Sequence, residues 1–148
     1  MFCAGSSCKS ENWLNHKDPA IKGLNSDYIT SNLFASQRPS NRLIIEYNII
    51  KQFKDLEIGL VINLQREGEH PYCGDKIIEN KGFSYDPKRF LKEGIQYRNF
   101  GWKDLSNNES MNFILNVVKE IGLFIKKEKK KVYHVLNKGF YTLSLWKS

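Results

Sequence analysis

The 148 residues predict an α/β fold in which a mainly parallel central sheet is flanked by helices. Three observations carry that expectation. Apolar residues recur at spacings of three and four through residues 43–54 and again through 110–127, the period of amphipathic helices. Strand-sized apolar or alternating runs stand at 60–64, 95–100 and 131–136. Helices fall between these strands, and a helical crossover returns the chain so that successive strands pair in parallel.

The elements follow in order. The first 20 residues are polar and read as an N-terminal arm. Residues 21–35 hold Ile21, Leu24, Tyr28, Ile29, Leu33 and Phe34, with Gly23 and Asn25 as turn formers, and predict one or two short strands. Ser40-Asn41 can cap one helix running through Leu43, Ile44, Tyr47, Ile50, Phe53 and Lys54. Gly59 follows the helix end, and Leu60 to Leu64 is a short buried, parallel-type strand. Residues 65–83 are rich in Gly, Pro and charge and read as a long loop. Pro87 to Leu91 predicts a short helix closed by Gly94, and Ile95 to Phe100 a further strand. The polar stretch Gly101 to Asn108 is a loop. Ser110 to Lys127 is a strong helix with Phe113, Val117, Val118, Ile121, Phe124 and Ile125 on its inner side, and Lys131 to Leu136 the last strand.

Charge and cysteine usage narrow the function classes. The net charge is +7, yet residues 1–125 hold 16 Lys/Arg against 15 Asp/Glu, whereas 126–148 hold seven Lys and one Glu. A Lys cluster closing a helix complements the helix dipole, so the excess is not read as a nucleic-acid surface. Contact of Lys126–Lys131 with an acidic partner is the functional counterpart of that reading. Mean hydropathy is −0.51. No apolar run nears the roughly 18 residues of a membrane span, and the N-terminus reads as no secretory signal. A cytoplasmic or nuclear location is expected. Cys3, Cys8 and Cys73 are too few for a disulfide framework, and no second cysteine pair completes a zinc site, so neither metal nor cofactor is expected. His16, His70 and His134 share no ligating spacing.

In open α/β sheets, sites form beyond the carboxyl ends of the strands, here near Gln65, Gly101 and Leu136. The residues there carry a resemblance. Ala35-Ser36-Gln37-Arg38-Pro39-Ser40, Tyr47-Asn48-Ile49-Ile50, the run Val61 to His70, Gly82 to Pro87 and Phe100-Gly101-Trp102-Lys103-Asp104 agree in order, preceded by Cys8 to Asn12 and Ala20 to Leu24. With them the chain resembles, over about residues 3–133, the cysteine-dependent phosphatase superfamily of dual-specificity type. The likeness is greatest to the protein tyrosine phosphatase domain-containing protein 1 family.

The resemblance implies hydrolysis of phosphotyrosine or phosphoserine/threonine proteins through a cysteinyl-phosphate. A Cys thiolate of lowered pKa attacks phosphorus, an Arg six residues later grips the phosphate, and an Asp on a movable loop protonates the leaving oxygen. It places the general acid at Asp104, with Trp102 as a hinge or packing residue. Unaided by the resemblance, Asp104 reads as a solvated turn former. By register with Lys131-Val132-Tyr133, the nucleophile falls at Leu136 and the Arg at Thr142. The pattern is therefore missing. Six residues after Cys3, Cys8 and Cys73 stand Lys9, Leu14 and Glu79. Arg66, Glu67, Glu69 and His70 read either as a supporting loop near the site or as mutually paired surface charges.

The expected organisation is an arm at 1–20, the N-terminal two-thirds of a phosphatase-like domain at 21–136, and a divergent tail at 137–148. The expected function is that of a phosphatase family member inactive as written, with a phosphoprotein substrate in a complete relative. The alternative is a pseudophosphatase or binding fragment using its Lys-rich segment. The family's helices after the phosphate loop are missing from the sequence. Exposed apolar surface beside the strand at 132–136, and marginal stability, are expected to follow.

Overall fold

The structure, a computed structural model, describes residues 17–69, 75–101 and 111–136. A hairpin opens the fold. β1 (Ser26–Thr30) and β2 (Leu33–Gln37) pair antiparallel, and β2 then leaves the edge to run parallel to the last strand. Gly23 makes the approach to this hairpin possible. Its φ is +98°, and a Cβ there would run into the Tyr47 ring, so both its backbone and its space exclude a side chain.

Ser40 caps the next helix as its residue type predicts, its Oγ accepting from the Leu43 N–H at 3.2 Å. The helix does not run on to Lys54. α1 (Asn41–Glu46) stops at Tyr47, and α2 (Ile49–Asp55) starts after Asn48, which sits left-handed at φ 53°, ψ 47°. Asn is one of the few side chains that tolerates this conformation. The break is held by Gln52, whose Nε2 donates to the carbonyls of Tyr47 at 2.9 Å and Lys22 at 2.8 Å. It turns α2 so that Ile49 and Phe53 both face the core.

β3 (Ile58–Asn63) follows, then α3 (Lys88–Leu91), β4 (Gln96–Asn99), α4 (Met111–Glu128) and β5 (Lys131–Leu136). The five strands lie in the order β1-β2-β5-β3-β4, and every pairing except β1–β2 is parallel. β5 is thus the central strand, flanked by β2 on one side and β3 on the other.

Alternation along the strands splits the core into two layers. Phe34, Val61, Tyr133 and Val135 face α1, α2 and α3, meeting Leu43, Ile44, Ile49, Phe53 and Phe90. The rings of Phe53 and Tyr133 stand 4.5 Å apart. Leu33, Ala35, Leu60, Ile62 and Val132 face the other way, toward Val117, Ile121 and Phe124 of α4. Two expectations need correction. Val118 is not on the inner side of α4 but 43% exposed, because the sheet covers only the arc of Val117, Ile121 and Phe124. Nor is β5 left open: Val132, Tyr133, His134 and Val135 are each at most 1% exposed, closed in by a layer on each face.

Candidate functional site

The carboxyl ends of β2, β5, β3 and β4 form one edge, and a chain of polar side chains ties it together. Asn63, the last residue of β3, is fully buried; its Oδ1 accepts from the Gln65 N–H at 2.9 Å and its Nδ2 donates to the Tyr97 hydroxyl at 2.9 Å. Asn99, the last residue of β4, donates its Nδ2 to the carbonyls of Asn63 at 2.9 Å and Gln65 at 2.7 Å. These bonds fix the exit of β3 against the exit of β4. Gly101 follows at once, and Arg66 Nε donates to its carbonyl at 3.4 Å. A Cβ on Gly101 would lie 3.2 Å from Cγ of Arg66, so the glycine lets the Arg66 stem pass across the strand exit. Leu64 N–H donates to Val135 O at 3.2 Å, bringing the end of β5 into the same edge.

On the far side of β5, Leu136 pairs in register with Gln37. Gln37 Oε1 accepts from Asn25 Nδ2 at 3.1 Å, and Arg38 beyond it is 3% exposed. Asp75 closes this flank. Its carboxylate accepts from Ser40 Oγ at 2.5 Å and from Arg42 Nε at 3.0 Å, and its carbonyl from Arg38 Nη2 at 3.5 Å. Burial opposes ionisation of Asp75, but the Ser40 and Arg42 hydrogen bonds outweigh it and hold the carboxyl below the usual range. Asp86 is also held low, first by the Lys88 backbone N–H and then by Lys81.

The sequence-derived residues distribute unevenly. Leu136 lies at the carboxyl end of the central strand, and Arg66 lies on the same edge. Glu67 and Glu69 follow Arg66 in the turn that the Gly68 N–H ties to Gly82 O at 2.9 Å. Asp104, Trp102, His70, Cys73, Cys3, Cys8 and Thr142 lie outside the described residues. Lys126 and Lys127 end α4, and the basic run continues through the turn into β5, at the sheet's amino end and away from the edge. Among the described residues no helix is long and apolar enough to cross a membrane. The Asn63–Asn99 clamp and the Asp75 tie were missed, since a lone Asn or Asp in a loop carries no spacing signal.

No family model matches the chain. It is 42% identical over 136 residues to protein tyrosine phosphatase domain-containing protein 1 of Danio rerio, covering 90% of this chain and 19% of that protein. It is 41% identical over 136 residues to the Mus musculus protein, covering 90% of this chain and 18% of that one. The chain spans about a fifth of the length of the curated relatives it matches. The crystal structure of Tk-PTP in the active form matches with a TM-score of 0.56 at 18% identity, over 78% of this chain and 63% of that one. A mutant form of Tk-PTP matches with a TM-score of 0.53 at 18% identity, over 74% and 59%. At that identity these structures attest the fold alone. Identity near 40% across nine-tenths of the chain adds the family: this chain is a phosphatase-family member, homologous to protein tyrosine phosphatase domain-containing protein 1.

Proposed function

We propose that these 148 residues form a protein-phosphatase fold without the nucleophile, and do not themselves hydrolyse phosphomonoesters. The observation that carries this reading is Leu136. It ends the central strand at the carboxyl edge of the sheet, where the family likeness puts the attacking thiolate. In the family reaction a Cys sulfur forms a bond to phosphorus while the P–O bond to the leaving group breaks. The Arg fork neutralises the equatorial oxygens, an Asp protonates the departing oxygen, and water then cleaves the thiophosphate bond.

A leucine offers no lone pair to phosphorus. Thr142, at the position of the Arg, offers a single hydroxyl in place of a guanidinium, and no cysteine in the chain has Arg six residues later. Asp104 keeps the proton-donor position. Loss of a nucleophile that acts as a unit with its partners removes nearly all the rate enhancement. The purified chain is expected to hydrolyse p-nitrophenyl phosphate no faster than a buffer blank. Vanadate-sensitive turnover abolished by Cys73→Ser or Cys3→Ser would overturn the reading.

A further inference from the structure

The flank of the molecule carries a groove that phosphoester chemistry does not use. It opens between α2 and α3, holds about 610 Å³, and runs from Asn41 at the start of α1 to Lys54 and Glu93. Five cations line it, Lys51, Lys54, Lys88, Arg89 and Lys92, against the two carboxylates Asp86 and Glu93. Two of the five are compensated: Lys54 pairs with Glu93 at 2.8 Å and Lys51 with Asp55 at 2.6 Å. Asp86 is engaged by the Lys88 backbone N–H at 3.0 Å and by Lys81 at 3.4 Å. Arg89 is held in place by a neutral group, its Nε donating to Asn41 Oδ1 at 3.0 Å, which orients the guanidinium without cancelling its charge.

Lys88 and Lys92 form no ion pair among the described residues. They stand four residues apart at the two ends of α3, an arrangement in which like charges repel and destabilise a helix. The rest of the lining suits a polypeptide. Ile50 supplies an apolar contact, and Asn48 supplies an amide that takes no part in capping α2. Among the described residues no aromatic ring lines the groove, so they offer it none of the stacking platforms of single-stranded nucleic-acid sites. A concave surface focuses the field of its cations more than a flat one, which favours a narrow anionic chain over a bilayer.

We propose that this groove docks an acidic segment of a protein partner. Its carboxylate or phosphate groups sit against Lys88, Arg89 and Lys92, and its backbone against the Asn48 amide. The lysines of the 126–131 run stand apart from it, where the dipole at the end of α4 already accounts for them.

Fluorescence anisotropy at low salt tests the proposal, with labelled octaglutamate and a labelled triphosphoserine peptide as probes and octaglutamine as the neutral control. Octaglutamate or the phosphoserine peptide is expected to bind, and octaglutamine not. Lys88→Glu/Lys92→Glu should weaken binding at least about tenfold, whereas Lys126→Glu/Lys127→Glu, with the same change of net charge, should leave it within about twofold. All four side chains are exposed. Should the reversal perturb folding by circular dichroism, Lys88→Gln/Lys92→Gln carries the test, with a smaller loss in the same order. Equal losses in the two double variants would overturn the proposal. So would failure of both acidic probes to bind, or tighter binding of a single-stranded oligonucleotide or of phosphatidylserine vesicles than of either peptide. No readout is enzymatic, so the outcome is independent of whether the chain turns over phosphoesters.

Discussion

His134 shows how burial sets the behaviour of a single residue. It is 1% exposed and stands in register between Ala35 of β2 and Ile62 of β3, in the layer that faces α4. Desolvation disfavours its charged form and lowers its pKa to about 4 from an ordinary 6.5. The unfolded chain therefore binds a proton between those values that the folded chain does not. The stability contributed by neutral His134 is complete above pH 6.5 and is lost as pH falls from there toward 4. Between pH 7 and pH 5 the urea midpoint should fall by the equivalent of about 2 kcal/mol. Most of that slope should vanish in His134→Leu. A wild-type midpoint that does not move over this interval would contradict the assignment.

At the scale of the element, two helices depart from the pattern their sequences suggest. The apolar spacing of residues 43–54 is continuous, yet the backbone breaks at Asn48, whose φ of 53° costs an ordinary L-residue energy. Asn48→Gly should stabilise the chain by up to about 1 kcal/mol, and Asn48→Val should destabilise it by about 1–2 kcal/mol, both read from thermal or urea melts. In α4 the apolar arc is wider than the sheet beneath it. Ile121, 6% exposed, should cost about 2–5 kcal/mol when cut to Ala. Val118→Ala, at a position 43% exposed, should change stability by less than about 0.5 kcal/mol. Equal costs at the two positions would mean that Val118 packs against something other than this sheet.

At the scale of the whole molecule, topology gathers distant residues to one edge. β5 is last in sequence and central in the sheet, so the exits of β2, β3 and β4 all lie beside its end or one strand away. A catalytic loop placed after β5 would start beside the exits of β2 and β3, where the Arg66 turn begins, and we propose Asp104, which follows β4 in sequence, as its proton donor. In a chain whose residues from 134 onward are replaced by a phosphatase loop bearing Cys and Arg with its following helices, Asp104→Asn should lower kcat by roughly 10²–10⁴-fold. The loss should be larger for alkyl phosphates than for p-nitrophenyl phosphate, whose leaving group departs unassisted. The basic limb of the pH profile should also disappear, since Asp104 must hold a proton to donate it. An unchanged kcat on alkyl phosphates would remove Asp104 from the mechanism. Asp75 and Asp86, both held below the usual carboxylate range, are poor replacements.

The sequence by itself determined the fold class, most of the elements and the absence of a Cys-x5-Arg motif from these residues. Period-two and period-3.6 patterns are local consequences of which side chains must leave water, so β5 at 131–136 and the Ser40 cap are legible residue by residue. The absence of Cys-x5-Arg is a property of the string alone. What only the tertiary structure decided depends on neighbours far apart in the chain. The width of the buried arc on α4 is set by the sheet it lies on. The break at Asn48 is set by Gln52 reaching back to Lys22, thirty residues earlier. The Asn63–Asn99 clamp joins residues 36 apart, and the basic groove gathers α2 and α3 from either side of β3. Each is a long-range contact whose partners carry no mark in sequence until chain closure makes them adjacent, and so the site's edge was legible only as strand ends, not as the bonds that hold them.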